Sequence, residues 1–204
     1  MNVSEALKTR LSANAYDTNA EITQDQIREL VELATESPSS FNSQNWHVIA
    51  VTDPEVRKQV RAAAWDQPKV TDSAVLFAVL GNTKVTEKLP EAMDLATSAG
   101  VVDENIKEWF VTNADGFYKD KPQLARDEAL RSGSYLAMSL MLAGQEKGFG
   151  SGPMIGFDPQ KVAEILKVPD HWVVTVLISM GPLASEGNWQ RKPRRKDILT
   201  FDSF

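Results

Sequence analysis

A chain of 204 residues, 42% hydrophobic and 25% charged, has the composition of an ordinary globular protein and is long enough to bury a real core, so we expect one domain over residues 1–204. The net charge of −6 argues against nucleic acid as a partner, because a phosphate backbone demands a basic surface. The lack of any cysteine removes disulfides, thiolate chemistry and cysteine-based metal sites.

The most apolar stretches, around 135–143 and 172–180, are too short to span a bilayer, so no membrane partner is expected. The opening Met1-Asn-Val-Ser-Glu has neither the basic start nor the apolar run of a signal peptide, which makes a cytoplasmic location the expectation.

In chain order, Val3, Ala6, Leu7 and Leu11 recur at helical spacing and predict a first helix over 3–11. Thr23-x-x-Gln26 has the form of a capping box, and Ile27, Leu30, Val31 and Ala34 line one face of a second helix that Pro38 ends. Residues 46–52 form a β-branched run that predicts a strand. Asp53-Pro54 pairs a cap with a helix-starting proline and predicts a helix to about 65. Residues 74–80 are apolar on both faces, the mark of a buried strand. Pro90 and Gly100 break the stretch 83–100, and 101–113 reads as a helix with Val102, Ile106, Trp109 and Phe110 on one side. The strongest helical pattern covers 125–147 and stops at Gly148. Asp158-Pro159 repeats the cap-and-proline start for a helix to 166, and 173–180 reads as a last buried strand. Few strands among many helices predict a layered α/β or α+β domain.

Three segments carry candidate chemistry. Ser37-Pro-Ser-Ser-Phe-Asn-Ser-Gln-Asn-Trp46 is crowded with hydroxyls and amides and contains no charge. It suits a planar, neutral ligand edged with donors and acceptors, although composition alone favours an ordinary polar turn. Gly148-Phe-Gly-Ser-Gly-Pro-Met-Ile-Gly156 is glycine-rich, but it follows a helix and has no lysine, so it is neither a dinucleotide fingerprint nor a P-loop. Its glycines let backbone approach a flat ring closely. Arg191-Lys-Pro-Arg-Arg-Lys196 is strongly basic, and by itself is either a solvated tail or a phosphate site. His47 and His171 form no metal spacing and no Ser-His-Asp set, so no metal is expected.

The string PSSFNSQNW and the strand-like His47-Val-Ile-Ala-Val51 after it resemble the flavin-dependent nitroreductases, and the likeness runs over nearly the whole chain. The resemblance implies an α+β fold, a mixed central sheet flanked by helices, with long helices forming a dimer core. It implies FMN as cofactor and NADH or NADPH as electron donor, in a homodimer with the flavin near the subunit interface. Carried over residue by residue, Pro38, Ser39, Ser40 and Asn42 would line the flavin. Gly152-Pro-Met-Ile-Gly-Phe-Asp158 is similar to the family's Pro-x-x-Gly-Phe-Asp, which places Pro153, Met154, Ile155 and Gly156 along the ring, with a backbone amide near N5. Many relatives carry Glu where this chain has Ile155. Gln67 lies where relatives set an amide against the pyrimidine edge.

For the phosphate, Arg10-Leu-Ser-Ala-Asn14 resembles Arg-x-Ser-x-Arg/Lys, with Arg10 and Ser12 matching and Asn14 replacing a basic residue; Lys192-Pro-Arg194 matches a Lys-x-Arg pair. On this likeness the basic run becomes a phosphate site. The expected activity is reduction of small-molecule acceptors, nitroaromatics or quinones, by ping-pong hydride transfer through N5. No side chain is expected as an obligatory acid or base. The alternatives are a non-catalytic flavin carrier or redox sensor, and another reaction on the same fold such as reductive dehalogenation. Residues 83–118 sit where a lid would be, and their aromatics would either cover the ring or simply pack the domain.

Overall fold

Local capping decides where several helices begin, and the computed structural model of the chain, which describes residues 1–203, shows those caps formed. Helix α1 (Val3–Thr9) starts at Asn2, whose side chain accepts from the Glu5 N–H. Helix α2 (Gln24–Ala34) has both capping-box bonds, Gln26 N–H to Thr23 and Thr23 N–H to the Gln26 side chain. It stops ahead of Pro38, where the Ser37 hydroxyl donates to Ala34 O. Asp53 and Asp158 each accept two backbone N–H groups and start α3 (Pro54–Ala63) and, near the end of the chain, α8 (Pro159–Ile165). A cap of this kind is worth about 1 kcal/mol.

Between and after these lie β1 (Trp46–Val51), the short helix α4 (Lys69–Asp72), β2 (Val75–Asn82), α5 (Leu89–Ser98), α6 (Glu104–Tyr118), α7 (Pro122–Glu146), β3 (Gly150–Met154) and β4 (Trp172–Gly181). The strands form one sheet in the order β1-β2-β4-β3, with every neighbouring pair antiparallel. The parallel component expected of a mixed sheet is reduced to a bridge between Ser12 and Ser151 on the outer side of β3. β2 is buried along its whole length, as its unbroken apolar run requires.

The sheet divides two cores. On one side Leu30, Trp46, Phe77, Val79, Leu136, Leu140, Ile178 and Met180 pack α2 and α7 against it. On the other, Val60, Leu76, Ala78, Leu80, Val162 and Leu177 pack α3 and α8.

Four elements depart from the sequence reading. Helix α5 forms inside the stretch that Pro90 breaks, because proline is tolerated in a helix's first turn. The glycine-rich stretch contains a strand, β3, which lacks the hydrophobic alternation that announces strands. A side chain at Gly150 would meet Leu183 at 2.1 Å, and one at Gly152 would meet Ala13 O at 2.5 Å, so bare backbone is what allows that face of the strand to be covered closely. The helix expected over 101–113 begins instead at its Asp103 cap and runs on to Tyr118, because Phe117 and Tyr118 pack with Phe41. Helix α4 went unread because one turn has no period to detect.

Helix α7, 25 residues and so about 38 Å long, lies against β2 and β4 at very short range. A Cβ at Gly81 of β2 would lie 2.1 Å from Ala129 O of α7, and one at Gly133 of α7 would lie 2.8 Å from the Thr175 side chain. Backbone cannot yield to that contact as a side chain can. Gly81→Ala should therefore destabilise the fold by about 3 kcal/mol, the upper end of overpacking costs, while Gly116→Ala, within α6 and with open space around it, should stabilise by up to about 1 kcal/mol; urea denaturation midpoints of the two variants check this.

Candidate functional site

Three remote pieces of chain build a positively charged cavity of about 200 Å³, lined by Leu11, Ser12, Asn14, Lys69, Trp189, Gln190, Arg191, Lys192 and Arg194. The first piece is the strand-like segment after α1. Ala13 N–H donates to Ser151 O, and the buried Tyr16 hydroxyl bonds to Ser179, so Ser12 and Asn14 are held beside β3. Burial pushes the Tyr16 phenol far above its ordinary range, so it remains a neutral donor.

The second piece is α4. The buried Arg57 guanidinium grips its far end through Val70 O, Ser73 O and the Ser73 hydroxyl, which fixes Lys69. The third is the segment 189–194, in which the Lys192 ammonium stands 5.0 Å over the Trp189 ring.

Among the described residues, no carboxylate lines this cavity. Arg10 sits against its wall, its pKa lowered first by burial and then by Arg194 and Arg191. Burial likewise lowers the Lys69 ammonium, which has no ion-pair partner among the described residues. Cations crowded together and partly stripped of water, with no counter-charge, constitute an anion site in search of its anion.

Two residues before Lys69, Gln67 meets the segment after β3, and together they form a floor. The Gln67 amide donates to Ala64 O at 3.0 Å and Gly156 O at 2.8 Å, tying the α3–α4 turn to the segment after β3. With both donors engaged on carbonyls, the Gln67 side-chain oxygen is the atom left to meet a ligand. Trp65 and Asp66 both adopt left-handed backbone (φ 54° and 55°), an uncommon state for such residues, and the Trp65 ring lies so near Gly156 that a Cβ there would be 2.8 Å away. Ile155 is 81% exposed beside them, Pro153 is half-buried, and Met154 points into the core, so Met154 offers the site only its main chain.

The polar loop lies elsewhere. Pro38, Ser39, Ser40 and Asn42 precede β1, at the opposite edge of the sheet from β3; two strands intervene, and three strand spacings amount to roughly 14 Å. The Ser39 hydroxyl accepts from Gln44 N–H, and the Tyr118 hydroxyl donates to Ser40. Phe41 and Asn42 are left-handed (φ 54° and 55°), and the Phe41 ring packs with Phe110, Phe117 and Tyr118 of α6. The aromatics of 83–118 thus cover the polar loop of their own chain. One chain gathers Arg10, Ser12, Asn14, Gln67, 153–156, Lys192 and Arg194 into one region, and keeps 38–42 in another.

The sequence profile of the Nitroreductase family matches residues 7–182. The chain belongs to the nitroreductase family. It is 32% identical over 180 residues to YodC of Bacillus subtilis, provisionally named an NAD(P)H nitroreductase, covering 88% of this chain and 89% of that protein. It is 25% identical over 202 residues to the oxygen-insensitive NADPH nitroreductase of Helicobacter pylori, covering 97% and 95%. A structure from Exiguobacterium sibiricum, solved in complex with FMN, superposes with a TM-score of 0.91 at 26% identity, over 98% of this chain and 97% of that one. These likenesses give the nitroreductase fold.

Against the nitroreductase pattern, Asn14 lacks the usual positive charge, yet Lys69 and Arg191 stand in the same cavity. Neither was singled out from sequence; Lys69 follows Gln67 by two residues and Arg191 opens the basic run, so proximity to residues already named was the available signal.

Lys69 also makes a prediction. Its pKa is lower folded than unfolded, so between the two values the unfolded chain binds the extra proton, and stability rises with pH through that window. At neutral pH Lys69→Met should raise the melting temperature of the ligand-free protein, and the gain should shrink as pH rises toward the range in which an unfolded lysine loses its proton. Thermal melts of both proteins across that range check it.

Proposed function

We propose that the chain is an FMN-dependent NAD(P)H oxidoreductase that reduces nitroaromatic, quinone or related acceptors as a cytoplasmic homodimer. The observation that carries this reading is a cluster of cations with no carboxylate among the described lining residues, two residues along the chain from the floor at Gln67 and Gly156. The residues fit the group. A phosphate dianion would be held by Arg10, Ser12, Lys69, Arg191, Lys192 and Arg194, where charge-assisted bonds are worth about 1.5–3 kcal/mol each. A planar ring is suited by Pro153, the Met154 main chain, Ile155 and Gly156, with the Gln67 oxygen at its edge. The FMN-bound structural neighbour and the NADPH and NAD(P)H names of the relatives support the same assignment.

When bound, FMN supplies hydride acceptance and donation at N5. The protein binds, orients and tunes. The Lys69 ammonium, two residues from Gln67, would favour negative charge on a bound flavin. Ile155 leaves the open side of the floor uncharged and apolar, which suits neutral aromatic acceptors. No side-chain acid or base is assigned, and solvent supplies protons. Donor and acceptor take turns at this one opening.

The split site supports the homodimer. Pro38, Ser39, Ser40 and Asn42 lie apart from the floor of their own chain, and a second copy would bring them to it. Val3, Leu7, Leu33 and Tyr135 are large apolar residues exposed on α1, α2 and α7, where such a copy would pack.

The absorption spectrum of the purified protein and the identity of its released chromophore test the cofactor. Replacing Lys192 and Arg194 together by Ala should weaken FMN by about a hundredfold, as expected for two charge-assisted bonds, and leave riboflavin nearly untouched; equal losses would remove the phosphate assignment. Steady-state plots with NAD(P)H and a quinone should give parallel lines, and intersecting lines would reject the ping-pong order. Ile155→Glu should shift acceptor preference away from anionic aromatics while flavin stays bound, as kcat/KM over a charged and a neutral quinone would show.

A further inference from the structure

Residues 189–203 form no helix or strand, yet three of their cations line the anion cavity. Chain ends are poorly ordered unless tied down, and Arg and Lys side chains carry much rotamer entropy. Something must aim this segment.

The tie is Asn188. Its Oδ1 accepts from the backbone N–H of Asn14 at 2.9 Å and of Ala15 at 3.1 Å, and its Nδ2 donates to Ala15 O at 2.8 Å. Donor and acceptor ends face backbone of the opposite kind, so the three bonds together admit one orientation of the amide. Asn188 thereby serves residues 14 and 15 as a neighbouring strand would. The residue before it, Gly187, is left-handed (φ +86°), and a Cβ there would lie 2.9 Å from the Ala15 Cβ, so the turn is pressed onto the same short stretch. Beyond it, Arg191 donates to Leu7 O at the end of α1, and the chain then passes over Leu11 and Ser12.

We propose that Asn188 is a positioning residue for phosphate recognition. It locks the C-terminal segment onto the stretch that carries Ser12, and so makes Arg191, Lys192 and Arg194 part of one pocket with Arg10 and Lys69. The proposal rests on the FMN reading above. Asn188 does not itself line the cavity. Without it the same cations remain attached but unplaced, and the free energy of ordering them is subtracted from binding. The floor at Gln67 and Gly156 is held by α3, α4 and β3 and does not depend on this clamp. The signature is therefore loss of discrimination between FMN and riboflavin, not loss of flavin binding in general.

The experiment measures dissociation constants for FMN and riboflavin, by quenching of flavin fluorescence, on the parent chain, Asn188→Ala and Gly187→Ala. Asn188→Ala should weaken FMN by about tenfold or more, the scale of one charge-assisted bond, and riboflavin by less than about twofold. Gly187→Ala, which lifts the same turn by a different route, should show a smaller loss with the same FMN selectivity. Inorganic phosphate should raise the melting temperature of the ligand-free parent and not that of Asn188→Ala. Equal losses for both flavins, or unchanged FMN affinity in a folded Asn188→Ala, overturn the clamp. Should circular dichroism show Asn188→Ala unfolded, Gly187→Ala decides between the same outcomes. A parent chain that binds riboflavin as tightly as FMN overturns the phosphate assignment itself, and needs no variant to reveal it.

Discussion

The contact on which the architecture depends is backbone against backbone: the Ala129 carbonyl of α7 stands where β2 would carry a side chain at Gly81. That single missing methyl group sets the distance between the long helix and the sheet. With α7 seated, Leu136 and Leu140 reach Phe77 and Ile178, and α2 closes over them. The opposite face of the sheet is then free to take α3 and α8, and α3 carries the turn that presents Trp65, Gln67 and Lys69. At its other end α7 delivers the chain into β3, whose outer side receives the Ser12 segment. The site is assembled at the margin of the sheet because the middle is occupied by the helix.

A second tension belongs to the site. Burial, and then Arg194 and Arg191, depress the charging of Arg10, and Lys69 is held from water with no ion-pair partner among the described residues. Each is a destabilising arrangement in the ligand-free protein. Left-handed backbone at Trp65 and Asp66 adds local strain at the neighbouring floor, at about 1–3 kcal/mol per residue. Unfavourable terms gathered at one cleft, within a fold otherwise well capped and well packed, are what a binding site costs the scaffold.

How much of this could be read from the sequence depended on range. The Thr23–Gln26 box and the two Asp-Pro starts were legible because a cap is decided within four residues, and α2, α3 and α8 begin where those signals stand. β3 was not, since its residues carry no alternation and its pairing partner lies on β4. The end of α6 was missed because Phe117 and Tyr118 are held by Phe41, far back in the chain. In the site, the motifs around residues 10–14 and 192–194 were visible separately, and their meeting in one cavity is a property of the fold. Lys69 was hidden in a single helical turn. Asn188 was hidden more deeply, because its partner Asn14 is 174 positions away and is engaged through its backbone. The resemblance of the polar loop told nothing of its distance from the floor within one chain.

The acidic balance of the chain acquires a kinetic meaning once the cavity is described. The protein bears a net charge of −6, yet Arg10, Lys69, Arg191, Lys192 and Arg194 converge on one opening. An approaching anion is repelled over most of the surface and drawn in at one place, so diffusion is biased toward that opening before any contact forms. Such steering acts on the rate of capture and reaches only about a Debye length, roughly 8 Å at physiological ionic strength. Ionic strength therefore becomes a control on how fast nucleotides are collected, separate from how firmly they are kept.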